Sequence, residues 1–509
     1  MTLSRRELMA TIGGAGLTTL AGCAAPRAVN GPADLARTDA IGQAALLERG
    51  ELSATELLDA FVSRFEATNP ALNAVIATGF DTARSKAAAL GSSGGLAGVP
   101  LLLKDLNEYP GMRYTSGSRA FLNVIGQQRS EYTKKIDAAG LIVAGKTNTP
   151  EFGLLPTTEP LALGPTRNPW NTEHSAGGSS GGAAAAVAAR MLPLAQASDG
   201  GGSIRIPAAA CGIFGLKPTR GRFPDQNVPQ RGWPISIRHA VSMSVRDNAL
   251  MLALTEADAG PLQPVGFVTP GPVRPLRIAL STDDGLGNAP SAAMDDAVHR
   301  TAAVLETLGH RVEPIDRRPD QDPAFPEQFL RVWAMGAAGV ARFVAEMSGT
   351  DPAVSGLLEP WTLGLAEHFA GLPGDPVAEM QSHFQGAEAA TQTLLHDYDA
   401  WLTPTVATAA PRLGELAPDV DFETLLPKVT QFAAYTPLHN VAGTPAISIP
   451  AGFDDGLPLG VQIAAAQGRE ALLLELAYQL EEAAPWADRL PPINAVDGEV
   501  PEAGAATTL

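Results

Sequence analysis

Ser203 closes a run of three glycines, Gly200, Gly201 and Gly202, in the segment "SDGGGSIRIPAAACG" (198–212), and a second serine pair, Ser179 and Ser180, sits in "SAGGSSGGAAAAVAA" (175–189). Consecutive glycines ahead of a serine have a specific chemical merit. Amides without side chains can converge on one point, so the N–H groups of Gly200, Gly201, Gly202 and Ser203 are expected to form an oxyanion hole for the charge that develops when Ser203 attacks a carbonyl. A serine hydroxyl also needs a base. No histidine lies in either segment. Lysine can serve if it is neutral, which at pH 7 requires its pKa to fall well below about 10.4, and burial supplies that by disfavouring the ammonium. Lys104 follows the apolar run Pro100–Leu103, and Ser179 is the candidate to carry the proton between it and Ser203. The competing reading of Lys104 is a side chain that reaches water or pairs with its neighbour Asp105. Neither glycine-rich loop matches a phosphate-binding motif, so nucleotide binding ranks low.

These groups must be held by a scaffold. In "LSATELLDAFVSRFEATNP", Ser53 and Glu56 form a capping-box pattern, Leu52 and Leu57 suit a hydrophobic staple, and Asn69–Pro70 is read as the end of the helix. "VPLLLK" and Leu141–Ala144 read as buried strands. "PLRIALS", a helical stretch from Ser291 to Leu308, and "HRVEPI" follow in strand, helix, strand order, which predicts a largely parallel sheet. Residues 320–400 read as mostly helical; strands return in "AWLTP", "PAISIP" and "LGVQIAAA", before a helix over Glu470–Ala484.

The same segments resemble the amidase signature family. "AGGSSGGAAAAVAA" and "SDGGGSIRIPAAACGIFGLKPTRGR" are similar to its Ser- and Gly-rich core, with Ser203 following Ser179 by 24 residues. The flanking resemblance runs from about residue 40 to Trp486 and includes "AGKTNTPEFG", "TRNPWN" and "GTPAISIPAGF". The wording around Ser203 is similar to a branch with hydrolases of cyclic amide oligomers. The resemblance implies one α/β domain with a twisted mixed, mostly parallel sheet covered by helices on both faces. It implies Ser203 as the acylated nucleophile, Ser179 as the relay after a cis Gly178–Ser179 bond, and Lys104 as the base, with Ser180, Asp199 and Arg205 supporting the loops. His174 and His439 are left without a catalytic role. Many members carry threonine where this chain has Ser198, which keeps the hydroxyl. The implied partner is a small-molecule amide, and no metal or organic cofactor is required. Two rival functions fit the same scaffold: a glutaminase subunit of a tRNA-dependent amidotransferase, and an exported binding protein without turnover. Pocket residues are sought between 320 and 440, where Trp333, Met335, Phe343, Trp361 and Phe432 either line a cavity or pack.

Length and charge bound the rest. The 509 residues carry a net charge of −18, which repels nucleic acid and anionic membranes alike. Cys23 and Cys211 are the only cysteines, so the fold rests on packing. Residues 1–23, with Arg5, Arg6 and an apolar run too short to span a bilayer, read as a twin-arginine signal ending in a lipoprotein-type "LAGC". This predicts an exported, periplasmic or cell-envelope protein, touching the membrane only through a lipid on Cys23. Residues 24–38 read as a linker, 39–490 as the amidase signature domain and 491–509 as a flexible tail. Nothing in the sequence sets an oligomeric state.

Overall fold

A computed structural model describes residues 32–90, 94–224 and 233–496. The signal segment, Cys23 and most of the expected linker and tail lie outside these. Within the remainder, Pro32–Arg37 is a helix rather than spacer, and the chain stays packed to Val496, with Ile493, Asn494 and Val496 buried. Among the described residues no helix is long and apolar enough to cross a membrane.

The capping box forms as its residue types dictate: the Glu56 N–H donates to Ser53 Oγ at 3.2 Å and the Ser53 N–H to Glu56 Oε2 at 2.8 Å. That helix, Ala54–Leu72, runs past Asn69 because Pro70 falls in its last turn, where little is lost by a missing N–H, and it ends at Asn73 in the left-handed region.

A three-stranded sheet holds β1 (Val75–Thr78), β2 (Pro100–Lys104) and β3 (Ile142–Thr147), in the order β1–β3–β2. A short pair, β4 (Arg167–Asn168) and β5 (Asn171–Ser175), stands apart. The main sheet is built from β6 (Leu194–Asp199), β7 (Phe214–Lys217), β8 (Ile237–Ser242), β9 (Arg277–Leu280), β10 (Arg311–Pro314), β11 (Ala400–Pro404), β12 (Ala446–Asp454) and β13 (Leu457–Ala464). Its eight strands run β10–β9–β11–β13–β12–β7–β8–β6. Alternate residues enter different core clusters, Leu402 and Ile278 one, Trp401 and Ala279 the other, as period-two side chains on a sheet covered on both faces must.

The sheet is mixed, but the expectation that it is mostly parallel is corrected. Only β9 with β10 and β9 with β11 pair in parallel; the other neighbours are antiparallel. The strand–helix–strand stretch that suggested parallel order does form a parallel pair around the Ala292–Thr307 helix. Elsewhere, the two-residue turn at Asp455–Gly456, with φ of 46° and 78°, folds β12 and β13 into a hairpin. β8 inserts between β6 and β7, which are joined by a helix and point the same way, and is antiparallel to both. β2 lies alongside edge strand β6, which brings the end of one sheet to the end of the other.

Candidate active site

Lys104 is the last residue of β2, whose five residues are all buried. Its backbone N–H donates to Gln196 Oε1 on β6 at 3.0 Å, a side-chain bond that replaces a ladder bond between the two sheets. Asp105 does not pair with it, because Asp105 is taken by Lys146 at 2.9 Å. The Lys104 ammonium position is fully buried and meets hydroxyls instead: Ser179 Oγ at 2.7 Å and Ser198 Oγ at 3.1 Å. Burial pulls the Lys104 pKa down to about 7, with the Asp199 charge acting against it.

Ser179 sits just ahead of the Gly181–Ala188 helix, after a cis Gly178–Ser179 bond. Only glycine fits at 178, since a Cβ there would stand 2.4 Å from the Thr157 carbonyl oxygen. Ser180 Oγ donates to the Ser198 carbonyl at 3.2 Å, so the two serine-bearing loops are tied directly.

Ser203 lies between the end of β6 and the Arg205–Cys211 helix, 8% exposed, and its hydroxyl has no hydrogen-bond partner among the described residues. The turn around it is organised by Asp199. The Asp199 carboxylate accepts the Gly202 N–H at 2.7 Å and the Ile204 N–H at 3.2 Å, and takes both Arg205 Nε and Nη2 at 2.9 Å. This corrects the expected oxyanion hole: Gly202 has its N–H turned to Asp199, leaving the amides of Gly200, Gly201 and Ser203 unused by any described residue. Gly202 is needed for shape, with φ of 127° and no room for a Cβ beside Thr436.

Arg205 spends its remaining donors on the Thr436 carbonyl (3.0 Å), Gln462 Oε1 (2.5 Å) and Asn440 Oδ1 (2.7 Å). Burial pushes the Asp199 carboxyl up, but the Arg205 charge and hydrogen bonds, helped by Lys217 and Asn440, outweigh it and hold it well below the usual carboxylate range. Asp199 and Arg205 therefore brace the loop. Breaking this buried pair leaves a carboxylate without its counter-charge, which costs about 3–5 kcal/mol. Arg205→Met is expected to lower unfolding stability by about that amount in urea denaturation; a loss below about 1 kcal/mol, the worth of an exposed pair, would contradict the bracing role.

The structure thus brings together Lys104, Ser179, Ser180, Asp199, Ser203 and Arg205. Ser198, Gln196, Asn440 and Gln462 belong to the same network and were not singled out by sequence as contributors; the one available signal was the hydroxyl retained at 198. His174 bonds the Ala410 carbonyl and His439 bonds Thr444, and neither bonds Ser203. Cys211 is buried, and burial pushes its thiol far up, away from reactivity. Of the five apolar candidates, Trp333 and Trp361 line a cavity, Phe432 packs in the core, Met335 is half-buried, and Phe343 is 52% exposed and stacks on Phe121.

A buried amine on one serine hydroxyl, in contact with the end of the strand that leads into the Ser203 loop, is an arrangement suited to moving a proton away from an attacking hydroxyl. A family model described as Amidase matches residues 56–474. The chain is 40% identical to AmiC of Mycobacterium tuberculosis over 88% of this chain and 95% of AmiC. It is 36% identical to the 6-aminohexanoate-cyclic-dimer hydrolase of Paenarthrobacter ureafaciens, over 91% of this chain and 98% of that protein. A solved structure of 6-aminohexanoate cyclic dimer hydrolase complexed with substrate superposes with a TM-score of 0.80 at 34% identity, covering 90% of this chain and 99% of that one.

Proposed function

The chain belongs to the amidase signature family of amide-hydrolysing enzymes, and we propose that it cleaves carboxylic amides through a Ser203 acyl-enzyme, with Lys104 as the base and Ser179 as the relay. The single observation that carries this reading is the fully buried Lys104, which has no carboxylate partner among the described residues and lies 2.7 Å from Ser179 Oγ. Ser203 Oγ attacks the carbonyl carbon while its proton passes to Ser179 Oγ, and the Ser179 proton passes to the neutral Lys104 amine. The N–H groups of Gly200, Gly201 and Ser203 receive the oxyanion. The proton then returns along the same path to the departing amine, the C–N bond breaks, and water releases the acid from Ser203 with the chain acting again as base. The similarity to a cyclic-dimer hydrolase supports an amide as the substrate class.

The test is to trap the intermediate. Acid quenching during turnover of an amide, followed by peptide mass analysis, is expected to find the acyl mass on the peptide holding Ser203. An acyl group on a different side chain, or turnover that never acylates the protein, would remove this mechanism.

A further inference from the structure

We propose that the cavity between the Phe325–Ser348, Pro360–Ala370 and Phe422–Phe432 helices holds the acyl chain of the substrate, and that this chain is apolar and carries no negative charge. This rests on the amidase reading of the site and adds to it a substrate class.

The cavity has a volume of about 540 Å³, within the roughly 300–1,000 Å³ range of small-molecule sites. Two separate contacts fix it beside the reacting loops. Phe329 and Trp333, which line it, press so closely on Gly201 that a Cβ there would lie 2.9 Å from Phe329 Cζ and 2.8 Å from Trp333 Cζ2. Trp361, on another wall, donates its indole N–H to the Leu154 carbonyl at 2.9 Å. Leu154 follows Gly153, where a Cβ would stand 3.1 Å from Ser179 Oγ. One wall therefore touches the Ser203 loop, and the other hangs from the segment that abuts the relay serine.

The lining also has a sign. Asp284, Asp320 and Glu423 contribute to it, and no lysine, arginine or histidine does among the described residues. Asp320 is neutralised by Arg318 at 2.8 Å. Asp284 accepts backbone N–H groups of its own loop, from Leu286 and Asn288, and neither it nor Glu423 forms an ion pair with a described residue. A carboxylate at the end of an acyl chain would meet the Asp284 and Glu423 charges with no lysine, arginine or histidine among the described lining residues to offset them. A neutral chain gains by burial between the aromatic walls, and a terminal ammonium is accommodated.

The experiment measures ammonia release by the full chain from acetamide, hexanamide, 6-aminohexanamide and adipic acid monoamide. Four added methylenes are expected to raise kcat/KM of hexanamide over acetamide by about tenfold or more. Adipic acid monoamide should fall about tenfold below hexanamide, and 6-aminohexanamide should stay within about threefold of it. Trp333→Ala should lower the hexanamide-to-acetamide ratio of kcat/KM about tenfold. Glu423→Lys, at an exposed position, should raise the acid-ended amide relative to the amine-ended one. Equal kcat/KM for the short and long amides, or equal losses on both in Trp333→Ala, would overturn the proposal. Fluorescence titration of the Ser203→Ala protein with hexanamide, against Ser203→Ala/Trp333→Ala, reads the pocket without turnover. Chain-dependent binding lost with Trp333 supports the cavity even if no ammonia is released, a result that would instead sink the amidase reading.

Discussion

Ser203→Ala is expected to reduce amide turnover by at least about 10⁴-fold while leaving the melting temperature almost unchanged. The size follows from the nature of the loss. If Ser203 is the nucleophile, as proposed, no acyl-enzyme forms without it, and what remains is the contribution of the amide donors and of substrate binding, which in serine hydrolases amounts to about 10³–10⁴ over water out of a much larger total. The unchanged stability follows from the site itself. The Ser203 hydroxyl makes no hydrogen bond to any described residue, so its removal orphans no buried partner. Arg205→Met should show the opposite pattern, with its primary effect on stability, because its five hydrogen bonds tie the Ser203 turn to Asp199, Thr436, Asn440 and Gln462. Steady-state kinetics and thermal unfolding of the two variants separate a reacting group from a bracing one. Substantial activity in Ser203→Ala, or a large drop in its stability, would place the nucleophile elsewhere.

How far the sequence disclosed this site depends on how local each contribution is. The capping box at Ser53 and Glu56, and the strand–helix–strand unit around Ala292–Thr307, depend on neighbours within a few turns and were readable from spacing. The contact of Lys104 with Ser179 was readable because Ser179 sits in an unusual glycine-rich segment and Lys104 follows an apolar run. The orientation of the main sheet was not, since β8 and β13 enter between strands that local order makes parallel. The braces were equally hidden: Asn440 and Gln462 lie more than 230 residues from Arg205 in the chain, and amide side chains carry no pattern that announces a buried partner. The misassigned Gly202 amide has a different cause. Four consecutive N–H groups look equivalent in sequence, and only the bend that turns Asp199 back onto its own loop commits the Gly202 N–H to structure, while those of Gly200, Gly201 and Ser203 meet no described residue.

Lys104 provides the second large effect, and its signature is in pH. An ordinary lysine at neutral pH is charged and cannot accept a proton. Here burial disfavours the ammonium and brings the pKa from 10.5 to about 7, with the Asp199 charge opposing that shift. In the proposed mechanism the active form is the neutral amine, so kcat/KM should fall about tenfold for each unit below pH 7 and level off above it, a single rising limb with an apparent pKa near 7. Lys104→Ala should remove the limb together with about 10²–10⁴-fold of the rate, the span usual for a positioned general base. Lys104→Arg tests the sign directly: it keeps a long cationic donor beside Ser179 but stays charged over the whole range, so it should be as inactive as the alanine variant. A wild-type limb near pH 10 would mean that the amine is not desolvated in the working enzyme, and a limb that survives in Lys104→Ala would assign the titration to another group.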